Sequence, residues 1–153
     1  MMYRATRTMD AVEDREDKTM TDGEHTGGCM CGALRYRASG APERVGICHC
    51  ETCRRNTGAP FGVFAIFSRE RFTLLSGETG FFRSSPQSKR YFCRDCGSPI
   101  YSDWSDSDEV DVTLGSFDEP ERMRPSYELW TIRRQPWLPE TPELTGYERD
   151  RPE

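Results

Sequence analysis

Seven cysteines in 153 residues fall into three tight groups. Cys29 and Cys31 form C-x-C in "GGCMCGALRY", Cys48, Cys50 and Cys53 form C-x-C-x-x-C in "ICHCETCRRNTGAPFG", and Cys93 and Cys96 form C-x-x-C in "FCRDCGS". This grouping constrains the fold more than any apolar pattern does. An odd number of thiols, behind an N-terminus that lacks the apolar stretch of a signal peptide, argues against a disulfide framework and for metal binding. The "CRDCG" piece is the strongest single cue. In a zinc knuckle the turn after the first cysteine aims backbone N–H groups at both sulfurs, and a glycine in the place of Gly97 relieves the tight turn, where a positive φ is often required. Gly27, Gly28 and Gly32 around Cys29 and Cys31 let backbone crowd a metal in the same way.

Seven divides as four plus three. Cys29, Cys31, Cys93 and Cys96 can close one tetrahedral thiolate site, stapling the N-terminal hairpin to a strand some sixty residues away. The binding energy of such a site is folding energy, on the order of 10 kcal/mol. That matters in a chain with a mean hydropathy of −0.80. Cys48, Cys50 and Cys53 are then one ligand short, and three protein ligands with a vacant fourth position are the pattern of a catalytic zinc. Water, hydroxide or a substrate thiolate can take that position, and zinc is soft enough to prefer the thiolate. Two other arrangements stay open at this point. The second site can be closed by His49, His25 or an acidic residue, or the three thiols can act without metal. Spacing alone does not fix which cysteine joins which site. In an extended C-H-C, His49 points away from its neighbours and is a poor co-ligand.

The rest of the chain reads as mainly β. The segments 33–39, 60–67, 79–84, 89–93, 99–104, 109–116 and 126–133 are short, rich in β-branched and aromatic residues, and broken by turn residues about every ten positions. Helix is expected only at 51–56 and 69–72. The length suits one domain. Residues 1–22 carry four basic and six acidic side chains and few large apolar ones, so a disordered extension is expected there, with Met20 as an alternative start. Residues 139–153 read as an exposed, proline-punctuated tail in which Tyr147 can still dock. Segment 23–138 has fifteen charges of each sign. This neutral middle excludes the basic footprint of a nucleic-acid binder. No run of about 18 apolar residues is present, so no membrane-spanning helix is expected. A cytoplasmic protein is the expectation that follows, with oligomeric state left open.

At this point the segments "GGCMCGALRY", "CHCETCRRNTGAPFG", "RYFCRDCGSPIY" and "LGSFDEPERMRPSYELWTIRRQPW" resemble the successive signatures of the glutathione-dependent formaldehyde-activating enzyme family, which also includes centromere protein V. The resemblance covers about residues 25–138 with all seven cysteines in register. It implies a β-tent fold of several coiled antiparallel β-sheets with one or two short helices, stapled by zinc. Carried over by position, it implies two zinc ions per chain, a structural one on Cys29, Cys31, Cys93 and Cys96 and a catalytic one on Cys48, Cys50 and Cys53. The implied activity is carbon–sulfur lyase chemistry on adducts of glutathione with formaldehyde. One departure stands out. Family members usually carry a His where this chain has Tyr127, and a phenol titrates near pH 10 rather than near 6.5.

Further roles follow from residue chemistry. Arg54 and Arg55 directly follow the third cysteine of the second site and are candidates for clamping the carboxylates of a glutathione-like thiol. Equally, they are ordinary solvent-facing helix residues. His49 is a candidate acid–base group by its pKa, although a lone histidine is more often structural. Phe61, Phe64 and Trp104 read as core or pocket wall. Two alternatives to an enzyme remain: a non-catalytic zinc-stabilised interaction module, and a thiol-redox or zinc-storage protein.

Overall fold

The computed structural model of the protein describes residues 23–152; the expected N-terminal extension, 1–22, lies outside them. Eleven strands and one α-helix are found among the described residues: β1 Glu24–Gly28, β2 Arg35–Ser39, β3 Arg44–Cys48, α1 Glu51–Thr57, β4 Gly62–Ser68, β5 Phe72–Ser76, β6 Thr79–Arg83, β7 Ser88–Cys93, β8 Pro99–Trp104, β9 Glu109–Thr113, β10 Tyr127–Leu129 and β11 Thr145–Gly146. The fold is mainly β, as the sequence predicts. The strands make two sheets, one in the order β1-β2-β5 and one in the order β11-β10-β3-β4-β9-β8-β7-β6. No helix among the described residues is long and apolar enough to cross a membrane.

The larger sheet carries apolar residues on both faces, and the period-2 alternation of each strand separates them. Val45 on β3, Ala65 and Phe67 on β4, and Val110 and Val112 on β9 face the smaller sheet. There they join Leu34, which directly precedes β2, and Tyr36 and Ala38 of β2 in the main core. Cys48, Phe64 and Ile66 face the other way and form a second, smaller apolar cluster with Cys53 of α1. One face of the sheet thus belongs to the core, and the other belongs to the helix and its cysteines.

Two expectations change. The expected all-antiparallel pairing is corrected at one edge: β10 runs parallel to both β3 and β11. The chain leaves β9 through two short 3₁₀ turns, Leu114–Ser116 and Pro120–Arg122, and re-enters the sheet beside β3 rather than folding back on β9. The expected strand 126–133 is cut short at Leu129, because Trp130 adopts a left-handed conformation with φ of 56°. The expected helix at 69–72 is a single 3₁₀ turn, Arg69–Arg71, that feeds β5.

The C-terminal segment is mostly exposed in its side chains but anchored in its backbone. Tyr147 N–H donates to the Glu128 carbonyl at 2.8 Å, Thr131 N–H to the Tyr147 carbonyl at 3.1 Å, and Trp130 N–H to the Arg149 carbonyl at 3.1 Å. The Trp130 indole N–H donates to the Asp150 carboxylate at 2.9 Å. This segment therefore walls one side of the second apolar cluster.

Candidate metal centres and active site

The four sulfurs of Cys29, Cys31, Cys93 and Cys96 lie within 4.8 Å of one another. The Cys29 and Cys31 sulfurs are 3.4 Å apart and those of Cys31 and Cys93 are 3.9 Å apart. Four sulfurs at about 2.3 Å from a tetrahedral zinc stand about 3.8 Å from one another, so the spacing fits that ion. The surrounding turns supply donors. Leu34 N–H points at the Cys29 sulfur at 3.2 Å, and the Ser98 hydroxyl lies 3.2 Å from the Cys96 sulfur. The Ser98 hydroxyl and backbone hold the Cys96 thiol low, at about 6, so it is ready to ligate as thiolate. Gly97 has φ of 75°, the conformation the knuckle turn requires. Cys29 directly follows β1 in the smaller sheet and Cys93 ends β7 in the larger one, so a metal here ties the two sheets together.

The three sulfurs of Cys48, Cys50 and Cys53 also lie within 4.8 Å of one another. They come from one continuous turn of chain. Cys48 ends β3, Cys50 is the N-cap of α1, and Cys53 sits in the helix's first turn, with its N–H donating to the Cys50 sulfur at 3.3 Å. As bare thiols they compete for one negative charge. The neighbouring Cys48 and Cys53 thiols pull Cys50 down to about 2, while Cys50 in turn holds Cys48 up at about 11. Cys53 is pushed up by both partners and by burial. A cation bound by all three removes that conflict, so this donor set too fits a thiophilic metal.

A cavity of about 170 Å³ opens beside these three sulfurs. Its wall is built by the sheet face opposite the main core: Gly46, Phe64, Asp111, Tyr127 and Leu129, with Trp104 and Arg90 contributed from β8 and β7. Gly46 is required there. A Cβ at this position would lie 2.3 Å from the Tyr127 ring, so only glycine lets Tyr127 lie across β3. Burial raises the Tyr127 phenol above its ordinary value, so it stays protonated at neutral pH and keeps an O–H that can donate. Burial also raises the Asp111 carboxyl, to about 7. A second cleft of about 450 Å³, lined by Glu51, Arg55, Asn56, Phe82, Ser84 and Arg90, shares Arg90 with the cavity.

The expected site residues divide. His49 is not among the residues that line the cavity. Side chains alternate along the chain beyond β3, so while Cys48 faces the cavity, His49 turns to the opposite side. There its Nε2 lies 2.8 Å from the Glu128 carboxylate. Arg134 pairs with the other oxygen of Glu128. The buried His49–Glu128–Arg134 chain thus holds the segment between two cysteines against β10. Arg55 is exposed and bonds Glu51 at 2.8 Å, one helical turn back. Arg54 is half-buried with its Nε enclosed. Neither arginine lines the cavity, whose guanidinium belongs to Arg90. Of the expected wall residues, Phe64 and Trp104 line the cavity, whereas Phe61 packs on the His49 ring.

Comparison with known proteins defines the class of this two-sheet β fold with its two metal-competent cysteine clusters. The sequence profile of the glutathione-dependent formaldehyde-activating enzyme family matches residues 24–133. The chain belongs to this family. It is 32% identical over 78 residues to an uncharacterized lyase of Schizosaccharomyces pombe, a match that spans 51% of this chain and 56% of that protein. Its fold is similar to that of a crystal structure of a Rhodobacter sphaeroides protein, with a TM-score of 0.52 and 21% identity over 61% of this chain and 87% of the other.

Proposed function

We propose that the protein is a zinc-dependent carbon–sulfur lyase acting on S-hydroxymethyl-type adducts of glutathione and an aldehyde. Family membership and the lyase-named relative support the reaction class. The observation that carries the reading is that the three-cysteine cluster lines a cavity with polar groups on its wall. In this reading Cys29, Cys31, Cys93 and Cys96 hold a structural zinc, and Cys48, Cys50 and Cys53 hold a second one. Zinc bound by three thiolates supplies a soft fourth position at which a substrate thiol is held ionised at neutral pH.

The chain's own residues do the rest. A thiolate at the cluster adds to the aldehyde carbon, and the carbonyl π pair moves onto oxygen, which takes up a proton from solvent. The protonated Tyr127 phenol stands in the same cavity as a hydrogen-bond donor to that oxygen as charge develops. In reverse the hydroxyl proton leaves, the carbonyl re-forms, and the sulfur departs with the carbon–sulfur pair. His49 acts as a positioning residue through Glu128. The cavity is smaller than the roughly 300 Å³ at the low end of ligand sites. It therefore takes the reacting end of the adduct, and the remainder extends past Arg90 into the outer cleft, where Arg55 is the one of the two expected arginines within reach. All seven cysteines are free thiols, in keeping with a reducing, cytoplasmic setting in which glutathione is the ambient thiol.

The test is exchange NMR on a mixture of glutathione and formaldehyde. The zinc-loaded protein is expected to accelerate interconversion of the free components and their adduct, and Cys50→Ser to return the rate to the uncatalysed one. Acceleration equal in both proteins, or none in the wild type, contradicts the proposal and favours the non-catalytic zinc module.

A further inference from the structure

We propose that Arg90 and Asp111 form a zwitterion-binding subsite, in which Arg90 takes the carboxylate and Asp111 the ammonium of an α-amino-acid group carried by the thiol substrate. The inference rests on the reading of the three-cysteine cluster as a thiol site, and it assigns residues that neither the local sequence nor the family match singles out.

The argument begins with register. Arg90 on β7 is paired with Ser102 on β8, and Ser102 with Asp111 on β9. The two charged residues therefore stand on one face of the sheet with a single strand between them, about 10 Å apart at the backbone. They make no ion pair with each other, yet both line the cavity that reaches the three cysteines. Two opposite charges on one wall, near but not joined, leave room for a group that bridges them. An α-amino-acid head, with its ammonium and carboxylate two bonds apart, has that charge pattern.

Each residue also lacks what such a ligand supplies. Arg90 is half-buried and positioned by hydroxyls, with its Nε donating to Ser84 at 3.2 Å and its Nη1 to Ser102 at 3.4 Å. Arg44, on the far side of Asp111, is committed to Glu109 through two hydrogen bonds of 2.7 and 2.5 Å. Arg90 has no such carboxylate among the described residues. A guanidinium held by neutral oxygens in a partly enclosed site favours an incoming carboxylate, to which it can present two parallel N–H groups. On the other side, burial disfavours the ionised form of Asp111, which Arg44 and Arg90 only partly offset. An ammonium placed against it restores the charged form. Arg90 and all three cysteines of the second cluster line the same cavity. A substrate held by Arg90 is thereby held within reach of the cluster.

Cysteine itself carries this head group, and glutathione carries it at its γ-glutamyl end. Calorimetric titration of the zinc-loaded protein separates them. The ligands are glutathione, its analogue lacking the α-amino group, its analogue lacking the γ-glutamyl α-carboxylate, L-cysteine, and 2-mercaptoethanol as a thiol without charges. Loss of either charge is expected to weaken binding to the wild type at least tenfold, as for a lost charge-assisted hydrogen bond. The amino-group effect should vanish in Asp111→Asn and the carboxylate effect in Arg90→Met, with both variants keeping two zinc ions and a wild-type melting temperature. Equal binding of all three glutathione forms, with cysteine no tighter than a thiol without charges, overturns the inference, and the wild-type series alone decides it should a variant misfold. Discrimination seen with cysteine and absent with glutathione supports the subsite and assigns it to the smaller thiol. Discrimination without any acceleration of aldehyde exchange contradicts the proposed reaction and leaves the subsite standing. Absence of thiol binding contradicts both.

Discussion

The two cysteine clusters use the same side chain for different ends, and the difference lies in where the chain brings them from. Cys29, Cys31, Cys93 and Cys96 come from two sheets and sixty residues of sequence, and their turns are filled by the donors of Leu34 and Ser98. Cys48, Cys50 and Cys53 come from one strand end and the helix turn that follows it. They add no link between distant parts of the chain. Instead they face a cavity with Tyr127, Asp111 and Arg90 on its wall. In the proposed reading, a metal at the first cluster organises the fold and a metal at the second is displayed by it.

Substitutions can break this contrast, and the largest effect is expected at the first cluster. Cys96→Ser should unfold the chain, because about 10 kcal/mol of metal binding is comparable with the whole stability of a domain this size, roughly 5–15 kcal/mol. Far-ultraviolet circular dichroism reads the outcome, and a folded Cys96→Ser protein would dissolve the distinction. Cys53→Ser should instead remain folded, lose one of two zinc ions by elemental analysis, and lose turnover. Global unfolding of that variant would mean that both clusters are structural.

A smaller effect sharpens the contrast. Glu128→Gln leaves Arg134 without its buried carboxylate and loosens His49 between two cysteines of the second cluster. It should cost about 3 kcal/mol in urea unfolding and weaken zinc at the second cluster only. The smallest effect concerns pH. Its hydrogen bonds from Arg44 hold the Glu109 carboxyl below its ordinary value. Stability from this pair is present above the unfolded carboxyl pKa of about 4.3 and is lost as pH falls below it. Arg44→Met should therefore flatten that acid limb of the stability curve while both zinc ions remain bound at neutral pH.

Much of this was legible in the sequence, and the boundary is physical. The four-plus-three division is visible because thiol clusters are local and rare. The short helix at 51–57 follows from a cysteine N-cap, Glu51 in the first turn, and Gly58 at its end. β3 is not legible locally, because Gly46 interrupts its apolar run, and that glycine is there for Tyr127, a partner eighty residues away. The parallel course of β10 depends on a crossover that no local pattern encodes. Arg90 and Asp111 read as the polar positions of alternating strands, and the usual inference places such positions in solvent. They face a cavity only because α1 and the C-terminal segment cover that side of the sheet. His49 shows the converse, since it lies between two cysteines of the second cluster in sequence while its ring pairs with Glu128 rather than lining the cavity.

The central claim, that one cluster is closed and the other accepts a thiol, is tested most directly by ¹¹³Cd NMR of the cadmium-substituted protein titrated with glutathione. Two resonances are expected, one in the four-sulfur range that does not move and one that shifts toward that range as glutathione binds. A single resonance, or two that are both unmoved by glutathione, would contradict the account.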